Sequence, residues 1–352
     1  MFQPPRCPND RCPQHRDPKP RFFVRKGSYQ PKCRAYRVPR YRCKTCRRCF
    51  SRQTFCADYR DHRPDRNVPL VWSLATGLGL RQTARNIGLS RRSTELKFQK
   101  YGRHLRRLNL NLQGQLGPKA ALQLDEIETY EGRRNTRPLS LPLLIEGGSR
   151  YIIWGEAAPI RPRGKMSKAR ERAVREDEKR YGKRKDLSRR SVRRTLQRGA
   201  ALVEQLEKVD LFTDEKSTYP GLAKEVFGEE RLVHHQTNSR LVRDTFNPLF
   251  PINHTEAMGR DHMGRLRRES WLVSKKRRYL DLALHMWMAY RNLVRRRFNF
   301  DERSPAQVLG FLPRRLRMSE LLSWRQDWGK DSIHPLSRSG ASIRWMERRA
   351  AA

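Results

Sequence analysis

Acids are scarce in this chain and cysteines are crowded, and both facts locate chemistry. Its 352 residues carry 78 Lys and Arg against 36 Asp and Glu. Two of the few acids, Asp125 and Asp214, each close an apolar run, in LQLDEIE and VDLFTDE, and each is followed by a glutamate. If the two runs are neighbouring strands, both aspartates reach one edge of a sheet. Converging carboxylates repel one another unless a cation lies between them. Hard oxygen donors select Mg2+ or Mn2+, and two such ions about 3.5–4 Å apart can activate one oxygen and stabilise another during in-line phosphoryl transfer. The plainer alternative is a pair of strand-end salt bridges to the many arginines.

The second chemical locus is N-terminal. All seven cysteines fall within the first 56 residues, and CPNDRC (Cys7, Cys12) precedes CKTC (Cys43, Cys46) by about thirty residues. Two pairs on tight turns with short aromatic strands between them (RFFV, AYRVPRYR) have the layout of a zinc ribbon. Four thiolates suit a tetrahedral Zn2+, and a module this small depends on its metal to fold. Cys33, Cys49 and Cys56 remain, and Cys49 is an alternative to Cys46. Disulfides or free thiols are the competing readings.

Several elements must position these residues. Residues 57–67 read as a polar linker and 69–76 as a helix. In GLGLRQTARNIGLSRRSTELKFQKYGRHL, Leu80, Ala84 and Ile87 share a helical face, Gly88 turns the chain, and Ser90 caps a second helix beginning at Arg91. This is a helix-turn-helix pattern over residues 68–113. Its second helix offers Arg91, Arg92, Lys97, Lys100 and Arg103 around Leu96 and Tyr101, as a major-groove helix would. After a break at 114–119, three successive strands are expected at 120–128, 137–147 and 150–160, forming an antiparallel meander. A helix over 188–208, a strand ending at Asp214, a strand at 231–237 and helices at 253–268 and 275–297 follow. That order describes an α/β, ribonuclease H-like mixed sheet flanked by helices, over residues 118–312, with 313–352 as a basic tail.

Charge narrows the partners. The net of +42 calls for a polyanion, and nucleic acid is the abundant one. Residues 161–198 hold seventeen Lys or Arg against five acids, the densest charge in the chain. No apolar run is long enough to span a bilayer; the most apolar stretch, 280–290, contains Asp281 and His285 and reads as a buried helix. Basic residues recur along the whole length, which disfavours a membrane surface. The N-terminus MFQPPRCPND lacks a signal-peptide pattern, so a cytoplasmic location is expected.

Taken together, LQLDEIETYEG, LFTDEKSTYPGL and PINHTEAMGRDHMGRLRRESWLVSKKRRYLDLALHMWMAYRNLVRRRFN, in the order ribbon, helix-turn-helix and mixed sheet, resemble bacterial insertion-sequence transposases of the DDE superfamily. The resemblance covers about 300 residues. It implies that Asp125, Asp214 and an acid on the following helix hold Mg2+ or Mn2+. Glu256 is the first choice for that acid. Asn253 occupies the place where relatives carry glutamate, and Glu269 is the third alternative. The resemblance further implies double-stranded DNA as partner, both element ends and target, assembly as a homodimer or higher oligomer, and phosphate contacts from Arg260 and Lys275. A non-catalytic DNA-binding regulator and a metal-dependent nuclease without strand transfer are the rival readings.

Overall fold

The computed structural model describes residues 2–113, 121–267, 270–310 and 312–324. The break at 114–119, the alternative ligand Glu269 and the tail beyond 324 lie outside the described residues.

The chain opens with a short helix α1 (Pro13–Arg16) and an antiparallel sheet of β1 (Phe23–Tyr29), β2 (Val38–Cys43) and β3 (Cys49–Ser51). Its small core consists of Phe22, Tyr41, Phe50 and Phe55 packed beside Cys7, Cys12 and Cys43. Three helices follow: α2 (Asn67–Ala75), α3 (Leu80–Asn86) and α4 (Arg91–Leu112). Gly88 takes the left-handed backbone (φ +64°) that the turn between α3 and α4 needs, and the Ser90 hydroxyl accepts from the Ser93 N–H at 3.1 Å to cap α4.

Next come β4 (Ala121–Tyr130), β5 (Pro138–Glu146), β6 (Ile152–Gly155) and β7 (Ala158–Pro159), then α5 (Lys168–Tyr181), α6 (Ser188–Ala200), β8 (Val209–Asp214), α7 (Tyr219–Phe227), β9 (Leu232–Thr237), α8 (Phe250–His262), α9 (Arg277–Leu293), α10 (Pro305–Val308) and α11 (Met318–Ser323). The molecule is thus mixed α/β. Its six-stranded sheet runs β6-β5-β4-β8-β9, with β7 beside β5. Strands β4 to β6 are antiparallel, while β8 joins β4, and β9 joins β8, in parallel. The expected meander and the adjacency of the first and fourth strands are both present. The third strand is broken into two short pieces, and α6 stops at Ala200 rather than 208. There the Arg231 guanidinium takes the carbonyls of Val203, Glu204 and Leu206, which holds the chain in turns instead of helix.

One apolar core runs from Ala57 to Trp324 and joins α2–α4 to the sheet. Helix α4 lies along the buried α9; a Cβ at Gly102 would meet Leu282 Cβ at 2.8 Å, so the small residue permits the close approach. The His104 ring bonds the Leu321 carbonyl at 3.0 Å, and Leu316, Met318, Leu321 and Trp324 are buried. Residues 313–324 are therefore core rather than basic tail. No helix among the described residues is long and apolar enough to cross a membrane.

Lys97 departs most clearly from expectation. Expected to face DNA, it is buried, pairing with Asp61 and donating to the Arg63 carbonyl at 3.0 Å and to Asn67 Oδ1 at 2.7 Å. Lys100 donates to the Tyr59 carbonyl at 2.8 Å. The helical phase is the cause: Phe98, Tyr101 and Leu105 form the inward stripe, which carries Lys97 with it and leaves Leu96 half exposed. Both lysines tie the linker to α4. Lys97→Met should leave Asp61 buried without its cation and cost about 3 kcal/mol in denaturant unfolding, whereas Ala at the exposed Arg92 should leave stability unchanged.

Candidate active site

Strands β4 and β8 pair through Ala121–Asp210, Leu122–Leu211 and Gln123–Phe212, and then part. Two residues beyond the last pair on each strand stand Asp125 and Asp214. A side-chain period of two puts both on the same face, at the mouth of the opening. Asp125, expected at the end of the first apolar strand, instead lies within it, since β4 continues to Tyr130 in its pairing with β5. The site forms where the sheet splits, not where the strand stops.

Gln123, on the same face as Asp125, bridges that split to α8. Its amide donates to the Pro248 carbonyl at 2.9 Å and accepts from the Ile252 N–H at 3.0 Å. The start of α8 is thereby fixed over β4, and Asn253, Glu256 and Arg260, spaced three and four along one helical face, line the cavity with Asp125 and Asp214. The cavity is about 380 Å³ and its acids are Asp125, Glu126, Glu128, Asp214 and Glu256. Arg163, Lys216, Arg243 and Arg260 supply the cations around it. Sequence reasoning missed Gln123; its signal was a buried polar residue two places before an acid in an apolar run.

Glu126 also does positional work. Its carboxylate accepts from the Tyr219 hydroxyl at 2.9 Å and from Ser140, and pairs with Lys216. The segment after Asp214 is thus fastened to β4. Lys216 N–H in turn donates to Asp214 Oδ1 at 3.1 Å.

Burial and mutual repulsion keep the carboxylates of this cavity from ionising readily. Burial, followed by repulsion from Asp214 and Glu126, raises Asp125 to about 6. Burial and then Asp125 raise Glu256 to about 8, against the opposing pull of Arg260 and Arg243. The Glu256 carboxyl is buried; Oε2 lies 3.5 Å from Arg260, and Oε1 has no hydrogen-bond partner. Glu256 thus brings an unpartnered carboxylate oxygen to the cavity that Asp125 and Asp214 also line, and oxygen donors of this kind are the type a hard divalent cation takes. Asn253 offers a further oxygen from the same helical face. Lys275 is exposed just ahead of α9 and is not among the residues lining the cavity.

At the N-terminus the structure brings together Cys7, Cys12, Cys43 and Cys46, whose sulfurs all lie within 4.8 Å of one another. Among the described residues this is the group of metal-ligand type gathered that tightly; the carboxylates share a cavity without closing to that separation. Cys7 and Cys46 stand 3.5 Å apart and Cys12 and Cys43 3.9 Å. A tetrahedron with metal–sulfur bonds of about 2.3 Å has edges of about 3.8 Å, so the four can hold one metal ion. Burial opposes ionisation of Cys46, yet the Arg48 N–H and its neighbours bring that thiol down to about 7. Cys49 and Cys33 are exposed, outside the group.

Arg91 and Arg92 stand exposed on the first turn of α4. Comparison with models of known protein families and with curated protein sequences finds no match to this chain.

Proposed function

We propose that the chain is a DNA transposase of the DDE type, cutting DNA and joining the freed end to a target. The observation that carries this reading is the meeting of Asp125, Asp214 and Glu256 at one cavity beside the split between β4 and β8. The strand order, antiparallel on one side of β4 and parallel on the other, supports a ribonuclease H-like core. The capped pair α3 and α4, with Arg91 and Arg92 outward, supports a helix-turn-helix that contacts element ends. The cysteine tetrad supports a Zn2+ ribbon.

In this reading Asp125, Asp214 and Glu256 hold Mg2+ or Mn2+. Bound there, the ions supply activation of the attacking oxygen and charge stabilisation of the leaving one. Glu256, buried with one carboxylate oxygen unpartnered, would be the third residue holding the ions. Arg260 lies against the carboxylate of Glu256 and Arg243 lines the same cavity, whereas Lys216 and Arg163, which also line it, are paired with Glu126 and Asp186. Water first attacks phosphorus and the P–O3′ bond breaks, leaving a 3′-hydroxyl and a 5′-phosphate. The 3′-hydroxyl then attacks a target phosphodiester, one P–O bond forming as another breaks, with no further reactant needed. An assay with magnesium on DNA carrying inverted repeats decides the matter. Cleavage with joining is expected; cleavage alone would leave a nuclease, and the absence of both would refute the proposal.

The basic segment 161–198 serves DNA tracking only in part. Arg184 is held by Glu131 and by backbone carbonyls, Arg163 by Asp186, and Arg193 and Arg194 by Glu225 and Glu156. Helix α5 presents Arg172, Arg175 and Lys179 to solvent. Changing these three to Gln should weaken binding to all duplexes alike and reduce the slope of log affinity against log salt by roughly 0.9 per lost contact. A loss confined to one DNA sequence would count against a tracking role.

A further inference from the structure

Beside α8, four arginines that do not line the carboxylate cavity converge. Arg150 follows the β5–β6 turn, and Arg291, Arg295 and Arg297 come from the end of α9 and the residues after it. Arg150 lies over the rings of Phe250 and Phe298 at 5.3 and 4.7 Å, and Arg297 lies over the other approach to Phe298 at 4.5 Å. Arg150 Nη1 donates to His254 Nδ1 at 2.9 Å, which requires that ring to be neutral. Arg291 is fully buried, its amino groups directed to the carbonyls of Arg296 and Arg297.

Among the described residues, Arg297 alone of the four has a negative partner: Asp301 pairs with it at 2.6 Å, and its other amino group donates to the Gly148 carbonyl at 2.8 Å, while Asp261 lies 3.8 Å from His262. Among the described residues Arg150, Arg291 and Arg295 make no ion pair, and the buried Nε atoms of Arg291, Arg295 and Arg297 have no hydrogen-bond partner. Removing guanidinium groups from water without a counter-charge is unfavourable. Burial, followed by the nearby arginines, pushes Arg291 down to about 9. Arg150 itself holds a left-handed backbone (φ +61°), a conformation that suits glycine better than a branched chain. The chain keeps a long cation where the turn favours none.

We propose that Arg150 and Arg295, backed by Arg291, Arg297 and His254, form a phosphate-binding subsite distinct from the carboxylate cavity. Forked donors at half-buried positions match the oxygens of a phosphate group. Its occupant is a backbone phosphodiester of duplex DNA, an identification of source that rests on the transposase reading; the phosphate chemistry does not.

Thermal shift of the full metal-loaded chain, titrated with sodium phosphate against sodium chloride at matched ionic strength, tests the subsite. Wild type should show saturable stabilisation by phosphate. Arg150→Gly, which keeps the turn in a conformation glycine favours, and Arg295→Gln should each weaken phosphate about tenfold, and Arg172→Gln on α5 should not. Unchanged phosphate affinity in both variants, or no saturable effect in wild type, overturns the proposal. Duplex binding then identifies the source: the salt slope should fall by about 0.9 in each variant if the occupant is DNA. A phosphate loss with an unchanged duplex slope would retain the subsite and overturn DNA as its occupant. Neither readout needs cleavage, so failure of the catalytic reading is seen separately.

Discussion

Asp125→Asn is expected to yield a folded protein that still binds DNA yet has lost magnesium-dependent cleavage by roughly a thousandfold or more, and that is more stable than wild type when metal is absent. The two halves share a cause. Asp125 is raised to about 6 and Glu256 to about 8 because each is buried near other acids. An acid whose folded pKa lies above its unfolded value binds its proton more tightly in the folded state. Metal-free wild type should therefore lose stability as pH rises from about 4 to about 8. Asn at 125 removes one charge and lowers the burden on Glu256, so the loss should flatten. Magnesium should restore wild type but not the variant, with apparent affinity rising toward pH 8 as Glu256 gives up its proton. Chemical denaturation at pH 5 and pH 8, with and without magnesium, reads all of this. An Asp125→Asn protein that is less stable than wild type at pH 8 and cleaves normally would remove the site.

Much of that site could be read from the chain. LQLDEIE and VDLFTDE announced two strands, and the scarcity of acids in a strongly basic protein made Asp125 and Asp214 stand out. The adjacency of β4 and β8 followed from the order of elements, and the structure has it. The point at which the strands separate could not be read, because it depends on α8 being drawn over β4 by Gln123, a contact across more than a hundred residues. The face of α4 was misjudged for a different reason. A basic helix with alternating apolar residues admits more than one inward stripe, and burial of Phe98 and Tyr101 against α9 and α2 selected the one that takes Lys97 inside to meet Asp61. Local pattern fixes that a helix forms; packing chooses how it is rotated. The cysteines were easier, since two close pairs leave few arrangements, and the choice of Cys46 over Cys49 followed from which sulfur the CKTC turn points inward.

Chelation should unfold residues 2–57 and leave the core from Ala57 to Trp324 intact. The N-terminal module buries four large aromatic side chains, Phe22, Tyr41, Phe50 and Phe55, beside its cysteines, too little to offset the ordering of more than fifty residues. A structural zinc contributes on the order of 10 kcal/mol to a module of this kind. The larger core is stitched by α4, α9 and α11 and does not draw on the cysteines. Alkylation separates the two. In the metal-bound protein Cys33 and Cys49, both exposed, should react with iodoacetamide while Cys7, Cys12, Cys43 and Cys46 resist. With a strong chelator one zinc per chain should be released, all four should react, and the main cooperative melting transition should persist. Cys12→Ser should reproduce the chelated state at ordinary metal levels, because a hydroxyl is a poor substitute for a thiolate on zinc. Protection of the four cysteines in chelator, with no zinc released, would mean that the tetrad packs as thiols and that the module is held by its aromatic core.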